Sequence, residues 1–222
     1  MLSILGVVLT TASVIASFKQ YRAADLQAQA AILALMPQLE VRALLEKLDS
    51  DKFTDHRIEI SSDGGPVHNL RIEHISWIDF LVDRKVVLTE ALIGYYFAGH
   101  PTGRTRGALY TLKGHKNNEI YGKFYDWRQA VIPRGVEVSQ PVTLIRLEYR
   151  DALKRDQLEF VQVEGGVVKH LSDDEGLRLW NAKPQKTLPP RTLDINDLQT
   201  EERAAAWVKG WRPILQKAVH GG

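Results

Sequence analysis

The hydrophobic and polar positions of this chain follow three successive patterns. The first is unbroken: from Leu2 to Phe18 there is no charged side chain. As a helix rising 1.5 Å per residue, the run would extend about 25 Å. That is close to the lower limit of roughly 17 apolar residues for crossing a bilayer. Ser3, Thr10, Thr11, Ser13 and Ser17 make it less apolar than a leucine-rich anchor. A secretory signal peptide should open on a basic region, and none precedes Leu2. Val14-Ile15-Ala16 would still serve as a cleavage triplet, and a buried core helix is the third alternative. The pattern predicts an uncleaved transmembrane anchor over residues 1–22, with residues 2–18 in the lipid bilayer. Lys19 and Arg22 follow the run while nothing basic precedes it. Basic flanks favour the cytoplasmic side, so the expected location is the cell (inner) membrane, single-pass, with the body in the cytoplasm.

Residues 23–52 carry the second pattern. "AADLQAQAAILALMPQLEVRALLEKL" is rich in good helix formers and divided by Pro37. Beyond the proline, Val41, Leu44, Leu45 and Leu48 recur at helical spacing and form one apolar face. The expectation is a helical stalk that either covers the following domain or pairs with another copy. A coiled coil needs three or four heptads.

From about residue 53 the period shortens to two. "HRIEI", "VHNLRIEHI", "GALYTL", "EIYGKFYDW", "QPVTLIRLEYR", "QLEFVQV" and "VVKHL" are expected strands, separated by turn clusters such as "SSDGGP", "KGHKNN" and "DALKRD". "LTEALIGYYFAG" fits a strand or a short helix. Short strands at this spacing indicate a β-sandwich or barrel over residues 53–170. The C-terminal segment, 171–222, returns to helix. Ser172 with Glu175 makes a capping-box pattern, and "KPQKTLPPRTLD" is a connector. In the last helix Thr200 is the candidate cap, and Pro213 is expected to kink or restart it. Ala204, Trp207, Val208, Trp211, Leu215 and Val219 fall near one face of it.

Composition narrows the chemistry. With no cysteine, disulfides, thiolate metal sites and cysteine nucleophiles are excluded. A net charge of +2 does not indicate a nucleic-acid binder. None of the seven histidines stands at a metal-binding spacing, no serine occupies a nucleophile elbow, and no cofactor motif is present. The Gly-Gly end matches the tail of ubiquitin-like modifiers in composition, but it follows an expected helix rather than a strand.

The loop "GHPTGRTRG" (99–107) combines three glycines with Arg104 and Arg106. Backbone amides and guanidinium groups of that kind can cradle a phosphate, although the P-loop ending is missing. Lys113 and Lys116 extend the basic stretch and complete a candidate anion-binding set. Through Arg134 the basic residues alternate with Tyr121, Phe124, Tyr125 and Trp127. A solvated face explains this best, contact with anionic lipid headgroups next, and nucleic acid least.

Two stretches, "IEISSDGGPVHNLRIEHISW" and "VTLIRLEYRDALKRDQLEF", resemble the Ig-like β-sandwich domains of small single-pass bacterial membrane proteins of unknown function. The likeness covers residues 56 to 163. Ser62 and Asp63 stand where an asparagine would be expected, and Lys154 where a glycine would be. The resemblance implies a fold and no catalytic residue or cofactor. The expected architecture is therefore mainly β with flanking helices: transmembrane helix, helical stalk, Ig-like antiparallel β-sandwich and C-terminal helical segment. The matching function is a membrane-anchored scaffold that binds a protein partner. The alternative is an enzyme or sensor for a phosphate-bearing ligand at the 99–107 loop.

Overall fold

A computed structural model describes residues 2–47, 52–99, 101–182 and 193–220, with side chains described within those ranges from residue 17 to residue 219. The Pro-rich connector before Leu193, Leu48, His100 and the Gly-Gly end lie outside the described residues.

Helix α1 (Leu2–Leu35) runs without interruption for 34 residues, or about 51 Å. It ends where Pro37 cannot continue it. The Met36 N–H returns to the Leu33 carbonyl (3.1 Å), and the Gly65 N–H donates to the Met36 carbonyl (3.0 Å). A Cβ at Gly65 would fall 1.8 Å from the Leu35 carbonyl oxygen, so this approach of chain to chain requires glycine. Every side chain from residue 17 to residue 35 is exposed.

Among the described residues, no helix is long and apolar enough to cross a membrane. That overturns the expected anchor over residues 1–22, together with the inner-membrane location and cytoplasmic orientation that rested on it. The side chains of residues 2–16 lie outside those described. Beyond them the helix does not stop at Phe18 but continues through Lys19, Gln20, Arg22, Asp25, Gln27 and Gln29.

The second half of the expected stalk is also corrected. Residues 37–47 form strand β1 (Pro37–Lys47), paired antiparallel with β2 (Phe53–Gly64). Leu39, Val41 and Ala43 alternate toward the core while Arg42 faces out. Val41, Leu44 and Leu45 satisfy helical spacing equally well. Pairing along β2 decides between the two.

Strand β5 (Gly107–Leu112) joins β2 on its other side and completes a three-stranded antiparallel sheet, β1-β2-β5. A second sheet is built around β3 (His68–Val82), which pairs with β4 (Lys85–Ile93) and β7 (Val142–Arg150). Its order is β10-β4-β3-β7-β8-β9, with β6 (Glu137–Val138) also on β3. Here β8 is Asp156–Glu164, β9 is Val167–Leu171, and β10 (Leu193–Asp194) runs parallel to β4.

Between the first five strands and β6 lies α2 (Asn117–Val131), where "EIYGKFYDW" had suggested a strand. Ile120, Tyr121, Phe124 and Val131 repeat at helical spacing and are buried. The aromatic content that favours strands here fills the inner face of a helix.

One face of the seven-stranded sheet, with Ile78, Phe80, Ile145 and Val161, shares a core with Ile58 and Ile60 of the small sheet. Helix α2 and helix α4 (Glu201–His220) occupy the same core through Phe124, Ala204, Val208 and Leu215. A 3-10 turn (Ile195–Leu198) leads into α4 and buries Ile195 and Leu198. Trp207 packs on Phe80 with ring centroids 5.7 Å apart. Helix α4 runs on through Pro213, an exposed position, without the expected restart.

On the opposite face of the large sheet, α3 (Asp173–Ala182) covers Ile75, Trp77, Leu144 and Phe160 with Trp180. A Cβ at Gly176 would meet the Phe160 ring at 2.2 Å, so α3 lies directly on β8.

These facts correct the Ig-like assignment. An Ig-like sandwich closes its core between two antiparallel sheets. Here two helices share that core, and one strand pair is parallel. The chain is mainly β sheet with a few helices. The β7–β8 turn retains one anticipated feature, since Lys154 takes φ +62°, a left-handed conformation that ordinarily favours glycine.

Candidate functional site

Of the four cations singled out from sequence, Arg104 and Arg106 lie on the β4–β5 connection, Lys113 directly follows β5 and Lys116 is at the start of α2. Arg104, Arg106, Lys113 and Lys116 are all exposed. Gly103 and Gly107 adopt φ +72° and +70°, which gives those glycines a turn-forming role. Three backbone amides in this region are engaged within the fold. Thr102 N–H donates to the Leu109 carbonyl (3.0 Å), and Arg104 N–H donates to Thr102 Oγ1 (3.3 Å). Lys116 N–H donates to Asp55 Oδ1 (2.6 Å). The four side chains line none of the three clefts described below.

Immediately after Lys116 is a polar centre with no counterpart in the sequence reading. Asn117 is completely buried. Its Oδ1 accepts from the His56 N–H (2.7 Å) and the Asn118 N–H (2.9 Å). Its Nδ2 donates to the carbonyls of His56 (3.0 Å) and Tyr95 (2.8 Å). One amide side chain thus ties the first turn of α2 to β2 and to the segment after β4. The sequence signal was only "NN" in a turn cluster, which carries no long-range information.

Beside Asn117, His56 is buried and its Nδ1 lies 2.8 Å from the Tyr96 hydroxyl. Burial lowers the His56 pKa, so the ring is neutral near pH 7, and the direction of its bond with the Tyr96 hydroxyl follows its tautomer. Burial also raises the pKa of Tyr96, with the neighbouring Tyr95 adding to the shift. On the far side of Tyr96, His74 Nε2 lies 3.3 Å from its backbone carbonyl. His74, Ser76, Tyr96 and Phe97 line a cleft of about 210 Å³. The Ser76 and Thr143 hydroxyls pair at 2.9 Å beside it.

This cluster has a pH consequence. The unfolded chain takes up a proton on His56 below its ordinary pKa of 6.5, whereas the folded chain resists until lower pH. The stabilising contribution is therefore complete above about pH 6.5 and declines as pH falls toward the lowered folded value. Denaturant midpoints measured between about pH 7.5 and pH 5 should fall, and His56→Gln should flatten that part of the profile. An unchanged slope in His56→Gln would assign the dependence to other groups.

Two further clefts are present. Arg128, Arg134, Tyr125 and Gln129 line one of about 700 Å³ at the end of α2. Its Arg128 guanidinium lies over the Tyr125 ring, 3.4 Å from the centroid. Glu137 and the carbonyl end of α2 lower the positive potential there. Another, of about 360 Å³, lies along the β7–β8 hairpin beside Arg71, Arg150 and Asp156. Arg150 is already paired with Asp156 at 2.8 Å. In that hairpin's turn, burial opposes ionisation of Asp151. The N–H groups of Arg155 and Leu153 and the Arg155 guanidinium outweigh it and hold the carboxyl below the usual range. No group of three or more potential metal ligands converges among the described residues.

Helix α1 carries a run of exposed apolar side chains among the described residues. Phe18, Tyr21, Leu26, Ile32, Leu33 and Leu35 are each more than 40% exposed, and Tyr21 and Leu33 reach 71% and 68%. Within the helix, Gln29 Nε2 donates to Asp25 (3.0 Å). Arg22 likewise lies over the Phe18 ring at 4.9 Å. Compared with known protein families, curated proteins and solved structures, the chain matches none.

Proposed function

We propose that the chain is a scaffold protein that docks another polypeptide through α1. The supporting observation is the exposure of large apolar side chains on a helix whose described residues 17–35 are all exposed. Elsewhere the fold covers its helices: α2, α3 and α4 all place apolar faces in the core clusters. An apolar surface left open in this way ordinarily marks an interaction site.

Site-directed photo-crosslinking in cells expressing the full chain tests this reading. A photoreactive residue at Tyr21 or Leu33 should yield adducts with a polypeptide. The same residue at Val167, an exposed apolar position on β9 (70%), should yield few. Absence of adducts from both α1 positions, or equal yields at all three, would overturn it.

A further inference from the structure

We infer that the polypeptide docked by α1 is the α1 helix of a second copy of this chain, antiparallel and centred on residue 23. The inference rests on the scaffold reading and specifies its partner. A helix of 34 residues holds almost five heptads, more than the three or four that sustain a coiled coil. With Phe18 and Tyr21 as the two seam positions of one heptad, the same seam passes through Asp25, Ala28, Ile32 and Leu35. Counted toward the N-terminus, it falls on Ile4, Val7, Thr11 and Val14. Most of these positions are apolar, as a helix pair requires.

Charge sets the direction. The charged residues of α1 are Lys19, Arg22 and Asp25. A parallel pair in register would bring the two Asp25 carboxylates together in the seam, where neither has a counter-charge. An antiparallel pair centred on residue 23 instead places Asp25 opposite Tyr21 of the second copy and beside its Arg22. The phenol and the guanidinium are both donors to a carboxylate. Symmetry makes this contact twice. The same register sets Phe18 opposite Ala28, large against small, and Ile32 opposite position 14.

Geometry agrees. Positions 11 to 35 overlap along roughly 37 Å, and a helix is about 10 Å wide, so each copy contributes on the order of 400 Å² in projection. Accessible surface exceeds projected area, which brings the total near 1,000 Å², the lower range of specific interfaces. The two bodies leave at opposite ends, about 39 Å apart along the axis.

The absence of cysteine makes the register measurable. Full-length Phe18→Cys and Ala28→Cys chains, mixed and oxidised with copper phenanthroline, should form mainly the mixed disulfide. A disulfide needs Cα atoms within about 7 Å, whereas the two copies of position 28 would lie about 15 Å apart. Both positions are exposed, so the substitutions leave the core intact. Tyr21→Cys with Asp25→Cys repeats the test with Phe18 in place. An Ala28→Cys homodisulfide equal to or exceeding the mixed product would overturn the antiparallel register. Yields no higher than those of a Val167→Cys control would overturn self-pairing. Photo-adducts with a different polypeptide, accompanied by that second result, would end the self-pairing inference and leave the scaffold reading standing.

Discussion

Asn117→Ala should lower the melting temperature by roughly 10 °C, through a loss of about 3–5 kcal/mol. The side chain is fully buried and makes four hydrogen bonds. Truncation leaves the His56 N–H and the carbonyls of His56 and Tyr95 without those partners, and each buried unsatisfied group costs about 1–3 kcal/mol. The loss also removes one of the ties between the first turn of α2 and β2, with the Lys116–Asp55 and Asn118–Phe53 bonds remaining. Asn118→Ala, one residue away, removes only an exposed bond to the Phe53 carbonyl and should cost less than about 1 kcal/mol. Thermal unfolding of the pair, followed by circular dichroism, checks the contrast. Equal melting temperatures would show that water or a shifted backbone takes over the duties of Asn117.

A larger effect is expected from deleting residues 200–222. Ala204, Val208 and Leu215 of α4 are fully buried, and Trp207 and Trp211 pack against the same core. Val208 and Leu215 alone account for about 1.5–3 kcal/mol each, and Phe80 would lose the Trp207 ring that covers it. The sum approaches the 5–15 kcal/mol that separates folded from unfolded domains. The shortened chain should lose its cooperative unfolding transition. A truncated chain that melts where the parent does would place α4 outside the core.

The contrast between strands and helices shows what the sequence could disclose. The hairpin from Val142 to Glu164 was legible because its alternation, its turn cluster and its cross-strand register agree. Helices α3 and α4 were legible from their caps: Ser172 Oγ accepts from the Glu175 N–H (3.3 Å) and Thr200 Oγ1 from the Arg203 N–H (3.4 Å). Strand β1 was misread because Val41, Leu44 and Leu45 fit helical spacing, and only the partner β2 favours the extended form. Helix α2 was misread for the opposite reason, since Tyr and Phe favour strands wherever packing does not decide. Its period was nevertheless present at Ile120, Phe124 and Val131.

The candidate sites divide the same way. Arg104 and Arg106 were conspicuous by composition, yet whether loop amides are free to bind an anion depends on pairings such as Thr102 with Leu109. The Asn117 centre gave no local signal, because all but one of its partners are distant in sequence. The apolar positions of α1 were visible, but their exposure was not. An uncharged run of this length invites an anchor reading, yet among the described residues no helix is long and apolar enough to cross a membrane.

The mass of the full chain in solution, measured by light scattering over a range of concentrations, tests the central claim most directly. The account predicts a species of twice the chain mass, converted to the single-chain mass when Phe18 and Ile32 are both replaced by aspartate. Both positions are exposed, so the melting temperature of the body should be unchanged in that variant. A parent chain of single-chain mass at every concentration would contradict the paired-helix account. So would a parent dimer that persists unchanged in the doubly substituted chain.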